Sequence, residues 1–292
     1  MFTAVLIAAP GSGALTEKIV DTARAYFQGG DVTWLAEAEA CEFPIGFLPE
    51  RQRPCLWDNL QTEGVDVVPV PTSGRRKKIL LADMDSTMIE QECIDELADF
   101  AGHGDAVRAI TARAMNGEMN FEEAIHARVS LFEGMDAGVI DQVITERITF
   151  MSGGATLLAT MKANGAYAAL VSGGFTDFTA HVAGVLGFDE NRANQLLQKN
   201  GKLTGKPGLP ILGQQAKVDA LEDITARLGL TDVDVLAVGD GANDLPMLTR
   251  AGLGVALHAK PAVQEAAQVK LNFADLTGLL YLQGYSREEF RG

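Results

Sequence analysis

Two aspartates two residues apart close an apolar run in this 292-residue chain, Ile79-Leu80-Leu81-Ala82-Asp83-Met84-Asp85-Ser86-Thr87. The run predicts a buried parallel strand. Strand periodicity aims Asp83 and Asp85 the same way if the strand reaches them. Carboxylates crowded at a strand end repel unless a cation sits between them, so the pair points to a metal or to catalysis. A second acidic pair, Asp240 and Asp244, brackets Gly241-Ala242-Asn243, a turn suited to close backbone approach. Four converging carboxylates are very unfavourable without compensation. Mg²⁺ supplies it, because it prefers oxygen ligands in an octahedral shell. The four histidines (His103, His126, His181 and His258) show no ligand spacing, so no softer metal competes. An aligned carboxylate with neutralised charge attacks phosphorus readily. Helix capping or turn formation accounts for any one of these aspartates. It accounts poorly for all of them at successive strand ends.

Two further segments fit an anionic ligand. Ser172-Gly173-Gly174 follows a predicted strand and precedes Thr176. Its hydroxyl and backbone N–H groups can cradle phosphate oxygens near a helix N-terminus. A plain glycine turn reads equally well from these residues alone. Lys217, in the first turn of a predicted helix, offers a positive charge, although most lysines are solvated surface residues.

Strands and helices must carry these groups to one place. Thr3 to Ala9, Val32 to Leu35 and Val65 to Val70 read as strands, and Ala14 to Phe27 as a helix, so residues 1–74 form a small α+β domain. The stretch from Ala38 to Trp57 has no clear period. Pro69 to Gly74 breaks the pattern, and the basic run Arg75 to Lys78 reads as a solvated lead-in to the next strand. From there, strand, polar turn and helix alternate. Strands are expected at Ile79, at Ala166 to Val171, at Val233 to Val238 and at Gly254 to Ala256. Helices are expected at Ala155 to Ala163, Thr176 to Leu186, Gln215 to Leu228, Asp244 to Ala251 and Pro261 to Ala267. Leu203 and Leu209 flank a hairpin candidate, and Leu279 to Gln283 is expected to close the sheet or domain. Residues 75–292 are thus a doubly wound, mostly parallel α/β sheet. Four helical stretches, Glu92 to Phe100, Ala106 to Met115, Phe121 to Leu131 and Ala137 to Ile144, form an inserted cap at about 90–150. In open parallel sheets ligands bind beyond the carboxyl ends of the strands, where Asp83/Asp85, Ser172 and Asp240 lie.

Composition narrows the partners. A formal charge of −15 opposes nonspecific binding to nucleic acid or anionic membrane but not a small anionic substrate in a locally positive pocket. The three cysteines, Cys41, Cys55 and Cys93, form neither a zinc pattern nor a disulfide framework, which fits a reducing compartment. The opening MFTAVLIAAPGSG lacks a basic n-region, and no stretch reaches the 18 apolar residues of a membrane span. A soluble, cytoplasmic protein is expected.

These motifs in this order resemble the haloacid dehalogenase superfamily of phosphohydrolases: Asp83-Met84-Asp85-Ser86-Thr87, Ser172-Gly173-Gly174, Lys217, then Gly239-Asp240-Gly241-Ala242-Asn243-Asp244. Within it the chain is most similar to the phosphoserine-hydrolysing group. That group has a glutamate nine residues after its nucleophile, matched by Glu92, and a cap with a phenylalanine and an arginine, matched by Phe121 and Arg128. The resemblance implies that Asp83 is the nucleophile, forming an aspartyl-phosphate, and that Asp85 is the general acid and base. It implies Mg²⁺ held by Asp83, the Asp85 backbone carbonyl and Asp240, with Asp244 in support. Ser172, Gly173, Lys217 and Asn243 would hold phosphate, and Glu92, Phe121 and Arg128 the serine part. Another small phosphorylated metabolite, with transfer to water or to an alcohol, is the alternative. A noncatalytic phospho-ligand sensor is a third reading, which the presence of both Asp83 and Asp85 opposes. Residues 1–74 resemble faintly a ferredoxin-like regulatory domain, and a role in stability or homodimer formation is the plainer expectation.

Overall fold

The computed structural model describes residues 1–46 and 59–292. Cys55 and the aperiodic stretch from residue 47 to Trp57 lie outside the described residues. Two compact units divide the chain: Met1–Leu80 with Ser152–Tyr167 and Leu230–Gly292, and Leu81–Met151 with Ala168–Gly229.

The first unit contains an antiparallel sheet of order β2-β3-β1-β4, built from β1 (Phe2–Ala8), β2 (Thr33–Ala36), β3 (Ala40–Ile45) and β4 (Val65–Pro71). Helix α1 (Glu17–Phe27) starts three residues later than its apolar period suggests, because the Thr16 hydroxyl accepts from the Ile19 amide and caps it there. Its Val20, Ala23 and Phe27 join Leu6, Phe43 and Ile45 in one buried cluster. Strand β3 was hidden by Pro44, which argues against a strand interior in sequence.

Residues near the C-terminus of the chain complete this unit. Buried Asp66 accepts from the backbone N–H groups of Asn272, Phe273 and Ala274 at 2.9–3.3 Å. The Tyr281 hydroxyl donates to Glu39 Oε1 at 2.7 Å, and Arg287 Nη1 donates to the same oxygen at 2.9 Å. Arg75 donates to the Leu282 and Tyr281 carbonyls and pairs with Glu42 at 2.7 Å. The segment expected to close the sheet or domain is a helix, Gly278–Leu282, with every residue buried. It adds no strand, because its apolar residues are consecutive and are buried all round.

The larger sheet has the order β12-β11-β10-β5-β6-β7. Its strands are β5 (Ile79–Ala82), β6 (Tyr167–Phe175), β7 (Glu190–Asn194), β10 (Val235–Gly239), β11 (Leu253–Leu257) and β12 (Val269–Leu271). Strand β10 pairs with β11, β11 with β12 and β6 with β7, each in parallel. The α/β sheet predicted from sequence is present, and β7 and β12 are additions to it. Strand order reverses at β5.

In the second unit, α2 (Cys93–Phe100), α3 (Gly104–Met115), α4 (Phe121–Ser130) and α5 (Val139–Arg147) occupy the stretch expected to be a cap. An antiparallel hairpin, β8 (Leu196–Lys199) with β9 (Lys202–Pro207), and α8 (Gln214–Leu228) follow β7. Helices α6 (Gly154–Ala163) and α7 (Thr176–Leu186) flank β6 in sequence, and α9 (Leu245–Arg250) and α10 (Pro261–Ala266) follow β10 and β11; α11 is the helix Gly278–Leu282. Among the described residues no helix is long and apolar enough to cross a membrane.

Candidate active site

Asp83 follows directly on β5 and is 5% exposed. Lys217, 2% exposed in the first turn of α8, places Nζ 2.5 Å from Asp83 Oδ1. Neither charge is favourable alone in this setting, so each requires the other. The solvated-surface alternative for Lys217 therefore fails, and Lys217 is a buried cation held against the first aspartate.

Two residues on, the chain turns sharply. The amides of Thr87, Met88 and Ile89 all donate to the Met84 carbonyl. Ser86 sits at φ +55, an uncommon conformation for a residue with a side chain. That turn lets the Ser86 hydroxyl donate to Glu92 Oε1 at 3.0 Å. It also aims Asp85 at the start of α2, where the Cys93 amide donates to Asp85 Oδ1 at 3.1 Å. Burial pushes the Asp85 carboxyl above the ordinary aspartate value; the Cys93 thiol and amide, the Lys217 charge and the Ser172 hydroxyl pull the other way. A carboxyl that holds its proton above the usual range suits a proton donor.

Strand β6 brings the second motif to the same place. Val171 pairs with Arg192 and Phe175 with Asn194, so four steps along β6 face two along β7. The surplus bulges out at Ser172-Gly173-Gly174. The Ser172 hydroxyl reaches Asp85 Oδ2 at 3.5 Å and accepts from the Gly174 amide at 2.9 Å. A Cβ on Gly174 would lie 2.8 Å from Asp85 Oδ2, so glycine is needed for this approach.

Two residues of α4 flank the same region. Asn120 and Glu123 form a capping box that starts the helix at Phe121. A Cβ on Gly173 would touch the Phe121 ring at 3.3 Å, so the ring already lies against the bulge. Arg128, two turns further along the same helical face, is partly buried, and its Nε donates to the Ala124 carbonyl at 3.3 Å. Burial lowers its pKa, while the carboxylates of Asp95, Glu92 and Asp85 raise it. Asp83, Asp85, Glu92, Phe121, Arg128, Ser172, Gly173 and Lys217 thus all belong to the second unit.

Asp240 and Asp244 lie after β10. Asp244 is fully buried and accepts from the Gly241 amide at 2.9 Å. A Cβ on Gly239 would run into its carboxyl group, so that glycine is also required. Asn243 is exposed in the turn. One carboxylate oxygen from each of Asp83, Asp240 and Asp244 lies within 4.8 Å of the others. Three hard oxygen donors at that spacing can hold a divalent cation, and the donor set contains no histidine or thiolate that would favour a softer metal.

Sequence reasoning did not find Cys93, Ser86 or Asn194 as site residues. Cys93 and Ser86 act through a turn conformation that no period reveals. Asn194 lies in Glu190–Asn194, a polar strand without alternation.

A model described as haloacid dehalogenase-like hydrolase matches residues 80–249. The chain belongs to that family. A phosphoserine phosphatase from Streptomyces coelicolor is 41% identical over 86% of this chain and 62% of its own length, so the chain spans less than two thirds of that relative. A probable phosphoserine phosphatase from Schizosaccharomyces pombe is 44% identical over 78% of each chain. A solved haloacid dehalogenase family hydrolase from Salmonella enterica serovar Typhi superposes with a TM-score of 0.86 at 30% identity, over 96% of this chain and 97% of the other. The chain therefore has the family's core, and the matched stretch carries the aspartates, Ser172 and Lys217 described above.

Proposed function

We propose that this hydrolase converts O-phospho-L-serine to L-serine and inorganic phosphate through an aspartyl-phosphate on Asp83. The observation that carries the reading is the buried Asp83–Lys217 pair, with Asp85 two residues on, bonded by the Cys93 amide and the Ser172 hydroxyl. The relatives named phosphoserine phosphatases support the choice of substrate.

In the first step an Asp83 carboxylate oxygen attacks phosphorus, the bond from phosphorus to the serine oxygen breaks, and Asp85 gives its proton to that oxygen. In the second step Asp85 takes a proton from water, the water oxygen attacks phosphorus, and the bond to Asp83 breaks. One group serving in both directions is economical, and phosphoryl transfer needs alignment and charge stabilisation above all. Ser172, the Gly173 peptide and Lys217 hold the phosphoryl oxygens, with Asn243 ordering the phosphate or its waters. Glu92 takes the substrate ammonium and Arg128 its carboxylate. Phe121 covers the phosphate loop and excludes water. Mg²⁺ fits Asp83, Asp240 and the Asp85 carbonyl, with Asp244 in support, and when bound supplies positive charge to the transferring group. The buried, unpaired thiols Cys41 and Cys93 suit a cytoplasmic enzyme.

Steady-state assay of the full chain with Mg²⁺, offering phosphoserine beside a panel of other phosphorylated metabolites, tests this. A clear preference for phosphoserine is expected, with no turnover by Asp83→Asn. Equal rates across the panel would sink the substrate assignment, and an active Asp83→Asn would sink the nucleophile.

A further inference from the structure

Asn194 is 2% exposed at the end of β7 and touches none of the groups assigned to chemistry through its charge or acidity. Its Nδ2 donates to the Gly173 carbonyl at 2.9 Å and to the Leu212 carbonyl at 3.1 Å. Its Oδ1 accepts from the Leu212 amide at 2.7 Å. Two carbonyls on one side and an N–H on the other fix which way the amide points. One side chain thereby ties the bulge of β6 to the segment that enters α8.

Those two segments share a second feature. A Cβ on Gly173 would meet the Phe121 ring at 3.3 Å, and a Cβ on Gly213 would meet the same ring at 3.3 Å. Gly213 is the N-cap of α8, four residues before Lys217. The ring therefore rests on two glycines whose backbones Asn194 spaces.

We propose that Asn194 is a positioning residue that holds the Gly173 peptide and the start of α8 in one frame, so that Phe121 can seat across Gly173 and Gly213. The proposal rests on the hydrolase reading above and adds to it the device that sets the distance between the phosphate loop and the helix carrying Lys217. A displacement of an ångström at such a frame costs rate without removing any reacting group.

Wild-type turnover of phosphoserine tests the hydrolase reading by itself. The frame is tested with Asn194→Ala and Asn194→Asp, the latter keeping an acceptor for the Leu212 amide while setting oxygen against two carbonyls. Both should lower kcat/KM about 10–100-fold and weaken inhibition by inorganic phosphate in parallel. Amide hydrogen exchange in the full chain should accelerate at Leu212 and Gly174, a readout that needs no activity. Gly213→Ala leaves Asn194 intact and should raise KM by pushing the ring, and that effect should vanish in a Phe121→Ala background. Unchanged phosphate inhibition together with unchanged exchange in the Asn194 variants overturns the proposal. So does strict additivity of Gly213→Ala and Phe121→Ala, and this cycle decides the matter alone if the Asn194 variants do not fold.

Discussion

Asp83 and Lys217 neutralise one another inside protein, so removing either has two effects that can be separated. Lys217→Ala leaves Asp83 buried beside two more carboxylates. Denaturant unfolding should show a loss of about 3–5 kcal/mol, the usual cost of breaking one side of a buried ion pair, and turnover should fall sharply. Asp85→Asn should retain the fold and lose about 10²–10⁴ in rate, as expected for a general acid. Because its carboxyl is held above the usual aspartate range, its acid form persists to higher pH. The kcat/KM of the native chain should fall as pH rises past that raised value, and Asp85→Asn should lack this limb. Arg128→Ala should raise KM for phosphoserine while sparing turnover of an aryl phosphate that has no carboxylate. An unchanged KM for phosphoserine would remove Arg128 from substrate binding.

Between residues and molecule stands the bulge of β6, the element to which the proposed mechanism assigns the phosphate. Gly174→Ala puts a methyl group 2.8 Å from Asp85 Oδ2, with Ser172 Oγ and Met84 Cε at 3.1 and 3.4 Å. A kcat loss at near-native melting temperature is expected, measured by parallel kinetics and thermal unfolding. The motif segments were legible because chemistry restricts their residue types: Asp83 and Asp85, Ser172-Gly173-Gly174, Lys217, and Asp240 to Asp244 all stand out against apolar strands. Helix positions were legible from their periods, with ends shifted where caps such as Thr16 and Asn120 decide them. Strand β3 was not, because Pro44 masks its alternation, and β7 was not, because Glu-Asn-Arg-Ala-Asn has no apolar face. With β7 unseen, Asn194 had no reason to attract notice. Strand order was also invisible, since pairing between distant strands is a property of packing and not of any local window.

For the whole molecule, charge and chain connectivity set the terms. Asp83, Asp240 and Asp244 group three carboxylates, of which Asp83 is paired with Lys217, so a divalent ion should stabilise the folded chain by mass action. Thermal unfolding with Mg²⁺ at 100 times its Kd should report about 2.7 kcal/mol of added stability, reversed by a chelator together with turnover. Residues 1–74 are joined to late residues through buried Asp66, through Glu39 with Tyr281 and Arg287, and through Glu42, which pairs with the Arg75 that donates to the end of α11. A chain starting at residue 75 should expose the apolar helix Gly278–Leu282 and precipitate on expression, which a solubility assay reads directly.

The Asp66 and Glu39 bonds span more than 200 positions of chain. During synthesis the earliest strands leave the ribosome long before the residues that complete them have been made. The first sheet stays part-covered until residues 272–287 have emerged, so its completion depends on contacts of high sequence separation.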